Sequence, residues 1–137
     1  MYDMSDNIIK KGKGKKNNMK HSNSFTHDLA FGEEAEDWVK GIFTGAFKVE
    51  VKSDRMAHKT GNLFIEVFSR GKPSGISITT ADIWIYRIET HGTAIIVPTR
   101  IIKEVVRECF MKNNQKYTLG GDNNTSKGIL VPMIKLL

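Results

Sequence analysis

A chain of 137 residues has room for one domain and a tail. Its single cysteine, Cys109, excludes an internal disulfide framework and fits a reducing, cytoplasmic setting. No apolar run approaches the roughly 18 residues of a membrane-spanning helix, and the N-terminus lacks the apolar centre of a signal peptide.

The net charge of +6 is unevenly placed. Residues 1–27 hold six lysines against Asp3 and Asp6, a net of +4, so the other 110 residues carry only +2. Residues 1–26 are poor in apolar side chains and rich in Lys, Asn, Gly and Ser, which predicts a disordered tail. Lys10, Lys11, Lys13, Lys15 and Lys16 would meet the phosphates of a polyanion such as DNA, releasing counterions. A solvated tail that only aids solubility explains the same charge.

A single domain is expected over 27–137. Asp28 is placed to cap a helix over about 28–43, with Phe31, Ala35, Trp38, Val39 and Ile42 on one stripe facing the core. From Phe47 to Asp54 the chain alternates: Phe47, Val49 and Val51 point one way, and Lys48, Glu50, Lys52 and Asp54 the other. After a polar link, Leu63–Phe68 reads as a buried strand interrupted by one acid, and the two strands are expected to pair as an antiparallel hairpin. Arg70–Gly75 is a basic loop. Ile83–Ile88 and Thr93–Val97 are further strands around a turn at His91-Gly92. Pro98 ends the second, and Thr99 is expected to cap a helix over about 100–112 that buries Ile102, Val105, Val106 and Cys109. Residues 113–127 read as loop, and 128–134 as a final edge strand, where Pro132 is tolerated. The fold class is therefore α/β: a central mixed sheet, with a hairpin carrying the acids, flanked by helices.

Glu66 is the informative residue, because burying an unpaired carboxylate costs several kcal/mol and calls for a partner or a metal. With the hairpin turn near His58, Glu66 faces Glu50, and Glu50, Lys52 and Asp54 share its face. Three acids and a lysine in a small area suit Mg²⁺ or Mn²⁺. Such an ion activates water and polarises a phosphoryl oxygen, while Lys52 offsets the added charge. Alternating Glu and Lys is also what an ordinary solvated sheet face looks like. On the first helix, Glu33, Glu36 and Asp37 read as a solvated acidic face, whereas Glu34 borders the apolar stripe and can reach over an adjoining sheet.

A helical acid followed by acids and a Glu-x-Lys on paired strands resembles the PD-(D/E)XK nuclease superfamily, of restriction-endonuclease and Holliday-junction-resolvase fold. Val49-Glu50-Val51-Lys52-Ser53-Asp54, Thr60-Gly61-Asn62-Leu63-Phe64-Ile65-Glu66 and Gly71-Lys72-Pro73-Ser74-Gly75-Ile76 are similar to small phage-type members, and the likeness covers about 28–90. It implies a Mg²⁺-dependent phosphodiesterase acting on DNA. Two registers remain open. In one, Glu50-Val51-Lys52 is the Glu-x-Lys, with Asp54 as an added ligand. In the other, Asp54 or Glu50 is the first acid and Glu66 the second, the lysine position falls on Phe68, and Lys52 supplies the charge from the neighbouring strand. The second explains Glu66.

The expectation is thus a metal-dependent endonuclease cutting DNA, structured or branched forms included. Asp54 and Glu66 would hold the ion, Glu50 would complete that site, Lys52 would assist the attacking water, and Glu34 would orient it or a second ion. Arg70, Lys72 and the lysine tail would hold phosphates outside the cut, and a homodimer is expected by analogy. The alternatives are a non-catalytic nucleic-acid-binding module on a degenerate nuclease fold, or a phage adaptor protein. Arg70, Lys72, Ser74 and Gly75 form a loop able to hold a phosphate, or a plain turn. Asp82 reads as structural, His27, His58 and His91 as isolated loop residues, and Cys109 as core. Trp84 also reads as core, though exposed it would stack a base.

Overall fold

The computed structural model describes the backbone of residues 18–88 and 92–137, with side chains from Phe25 onward. The expected lysine contacts at 10–16 and the turn residue His91 lie outside the described residues. Contacts divide the chain into two compact units, Met1–Gly41 and Ile42–Leu137.

In the first unit the described residues belong to a long helix, α1 (Asn18–Phe43). It begins before the expected cap at Asp28. No proline interrupts the stretch, so backbone hydrogen bonding continues through residues that composition assigns to the tail. The apolar stripe expected to face a core is largely open: Phe31 is 68% and Val39 40% exposed, while Trp38 and Ile42 are half-buried. Helical spacing decides which side chains share a face, not what that face meets.

The second unit is α/β, with a mixed three-stranded sheet, an antiparallel four-stranded sheet and short helices. The mixed sheet has β4 (Ile83–Ile88) at its centre, parallel to β1 (Val49–Asp54) and antiparallel to β5 (Thr93–Pro98). The other sheet contains β2 (Asn62–Ser69), β3 (Lys72–Pro73), β6 (Thr118–Gly120) and β7 (Ser126–Pro132), in the order β3-β2-β7-β6.

The expected hairpin of β1 with β2 does not form; the two strands lie in different sheets. The link between them is not a turn but a short helix, α2 (Ala57–Thr60), closed by Gly61 at φ 74. That left-handed backbone suits glycine. The tight hairpin lies further on, between β2 and β3, where Arg70 and Gly71 have φ of 51 and 77. Two successive positive φ values match the right-handed twist of paired strands. The last strand is not an edge strand: β7 lies between β2 and β6, with Pro132 at its very end beside Asn62. The partner that makes it internal, β6, comes from the segment expected to be loop.

Leu63 and Ile65 of β2, Ile129 and Val131 of β7, and Trp84, Tyr86 and Ile88 of β4 form the core. The helix α3 (Thr99–Lys112) adds Ile102 and Cys109, with Val105 and Val106 partly buried. Thr99 does not cap it. Its hydroxyl donates to the Ala81 carbonyl at 2.6 Å and its N–H to that of Asp82 at 2.9 Å, joining the helix start to the segment that leads into β4. Among the described residues no helix is long and apolar enough to cross a membrane.

Candidate active site

The parallel register pairs Glu50 with Trp84, Lys52 with Tyr86 and Asp54 with Ile88. Paired residues share a sheet face, so the charged residues of β1 lie on the side of the buried Trp84, Tyr86 and Ile88. Val51, on the other side, is 62% exposed. The polarity of this edge strand is inverted relative to an ordinary half-buried strand.

Asp54 is the most engaged of the acids. One carboxylate oxygen accepts the N–H groups of Met56 and Ala57, both at 2.8 Å, and the other accepts that of Phe64 at 3.0 Å. It therefore starts α2 and ties the end of β1 to β2, the link that replaces the missing hairpin. Glu66 is half-buried on β2, beside a bulge at Val67. Its carboxylate accepts the Ser126 hydroxyl at 2.5 Å and the Ser74 hydroxyl at 2.8 Å. Glu66 does have the partners its strand context demanded, and they are two serines. A Cβ on Gly75 would lie 3.1 Å from the Glu66 Cβ and closer still to its carbonyl oxygen, and Gly75 has φ +54. Only glycine suits both the backbone and the contact.

Glu50 is held differently. It pairs with Lys52 at 2.7 Å, both side chains 40% exposed, and the Lys52 ammonium stands 5.7 Å from the centre of the Trp84 ring. Glu50 and Lys52 line an open pocket of about 420 Å³ together with Lys48, Gly75 and Thr79. Trp84 is only 1% exposed and donates its indole N–H to Thr79, so it is core and not a base-stacking platform.

Tyr86, opposite Lys52 in the register, is 2% exposed. Its phenol is pushed well above the ordinary tyrosine range, first by burial and then by the charges of Asp54, Glu50 and Glu66. The three carboxylates singled out in the sequence thus all contribute charge felt by one buried hydroxyl, although they come from two sheets. They do not form a ready-made cage: among the described residues no group of three His, Cys, Asp or Glu is arranged to hold a metal.

The other candidates are spread out. Arg70 and Lys72 are exposed at the β2–β3 turn. Ser74, expected in a phosphate-holding loop with them, has its N–H on the Val67 carbonyl and its hydroxyl on Glu66. Asp82 accepts the Lys48 N–H at 2.9 Å, a strand-pairing role. Glu34 is exposed on α1, in the first unit. Tyr86 and Ser126 are not singled out by the sequence, and Ser74 and Gly75 are expected there in a phosphate-holding loop, not as the support of Glu66. The signal for the serine pair was the demand of Glu66 for partners, which names no partner by itself. No protein-family model, no curated protein and no solved structure matches the chain.

Proposed function

We propose that this chain is a metal-dependent phosphodiesterase that cuts DNA, as in the PD-(D/E)XK nucleases it resembles. The observation that supports it is the inverted face of β1, which turns Glu50, Lys52 and Asp54 toward Tyr86 while leaving Val51 to solvent. Glu66, in the other sheet, adds its charge to those that raise the Tyr86 phenol. Asp54 on that face of β1 has a structural job, whereas Glu50 and Lys52 face an open pocket.

The donors fit a hard cation: carboxylate and hydroxyl oxygens, with no nitrogen or sulfur ligand among them. Mg²⁺ keeps several waters and needs only one or two carboxylates plus substrate phosphate, so a cage of three acids is not required. Glu50, Asp54 and Glu66 are the residues that would hold it. When bound, such an ion readies a water and polarises the phosphoryl oxygen. Lys52 holds a positive charge at the pocket wall, where it offsets the charge that builds on the attacked phosphate. Ser74 and Ser126 fix the Glu66 rotamer, and the Asp54 cap keeps β1 and β2 together. Arg70 and Lys72 present charge to the backbone beyond the cut. Duplex cleavage needs two such sites, so a homodimer on DNA is part of the proposal.

The test uses labelled duplex and branched DNA with Mg²⁺, Mn²⁺ or EDTA. Cutting should require the metal and fall at least about 100-fold in Glu66→Gln and Glu50→Gln. A second reading has its own observation: Asp54 and Glu66 have all their oxygens engaged by protein donors. A non-catalytic binding module would bind DNA, weaken with salt, and cut under none of these conditions. An adaptor for a partner protein would neither cut nor bind.

A further inference from the structure

The turn Gly75–Ser77 contributes to two hollows. Gly75 lines the pocket at Glu50, and Ile76 lines a second groove of about 310 Å³. Val67, next to Glu66 in the chain, also lines the second groove. Its size is at the lower end of small-ligand sites, roughly 300–1,000 Å³. Its floor is apolar and one wall is aromatic: Phe110 and Tyr117 stack at 4.9 Å with 25° between ring planes, and Tyr117 is 40% exposed.

Lys103 and Arg107 stand at the rim, four residues apart and so on one side of α3. Both are exposed, and no ion pair among the described residues includes either. The charges on the other flank are settled locally. Glu108 accepts from Lys112 at 2.8 Å and Lys135 at 3.0 Å, which holds its carboxyl down to about 2. Glu104 does not line the groove. An apolar slot with an aromatic wall and two unneutralised cations at its mouth matches a flat base attached to anionic phosphates.

We propose that this groove takes one unstacked base of a nucleic-acid strand, with the flanking phosphates on Lys103 and Arg107, beside the proposed cutting site. This rests on the nucleic-acid reading above and adds to it a preference for strands with unpaired bases.

Binding of the full chain is measured in EDTA by fluorescence anisotropy across a salt series. The probes are oligo-dT, a fully abasic strand of equal length, and a paired duplex. Oligo-dT should bind about tenfold tighter than the abasic strand. Tyr117→Leu should abolish that difference and leave the salt slope intact. Lys103→Ala with Arg107→Ala, both at exposed positions, should weaken both strands and reduce the salt slope by about 1 to 2. Equal binding of oligo-dT and abasic strand by the wild type, with the duplex still bound, overturns the groove and leaves the nuclease proposal standing. Binding of none of the three overturns both. Displacement by an acidic aromatic peptide, without any base dependence, assigns the groove to a protein partner and overturns the proposal.

Discussion

Asp54 and Glu50 lie on the same face of the same strand, yet they are different kinds of acid. Asp54 accepts three backbone N–H groups and holds two sheets together. Glu50 has a half-exposed lysine for company and an open pocket in front of it. The difference teaches that a shared strand face does not imply a shared job. Acids engaged by backbone donors position the site, and an acid paired with a half-exposed ammonium is free to change partner.

The largest effect that probes this contrast is expected from Asp54→Ala. It strands three N–H groups and should destabilise the unit by about 3–4 kcal/mol in urea or thermal unfolding. A loss below about 1 kcal/mol would erase the distinction. Gly75→Ala comes next, at about 2–3 kcal/mol, because it meets both a left-handed φ and the Glu66 backbone. Glu66→Gln should follow at about 1–2 kcal/mol, since an amide still serves one serine as acceptor. Glu50→Gln should change stability by at most about 0.5 kcal/mol, because its partner is a half-exposed lysine. Its effect belongs to cutting, read in the same cleavage assay.

A spectroscopic titration sharpens the contrast with the smallest change. Tyr86 is raised in the folded protein, so the folded state holds its proton longer than the unfolded state. The stability this contributes is complete below the ordinary tyrosine pKa of about 10 and is lost as pH rises through and beyond it. Phenolate absorbance should therefore show one late tyrosine that titrates only as the protein unfolds. Glu50→Gln should move it slightly back toward normal without unfolding the chain, whereas Asp54→Ala should release it together with the fold.

Strands and the second helix were legible because alternation and apolar spacing are local. The bounds at 83–88 match β4, and α3 begins at Thr99, one residue from its expected start. Pairing was not legible. Residues 55–61 allow a hairpin turn or a short capped helix, and the choice depends on Asp54 reaching Phe64 in another sheet. Alternation along β1 tells which side chains share a face but not which face is inward; burial is set by what packs against a face, and Trp84 and Tyr86 lie on the charged side.

The sequence by itself determined the α/β class, the positions of most strands, and the need of Glu66 for polar company. These follow from side-chain periodicity and from the desolvation of one carboxylate. It took the tertiary structure to join β1 to β4, to bring Ser74 and Ser126 to Glu66, and to set the charged face of β1 on the side of Tyr86. Those are contacts between residues far apart in the chain, and no local pattern specifies which distant group will arrive.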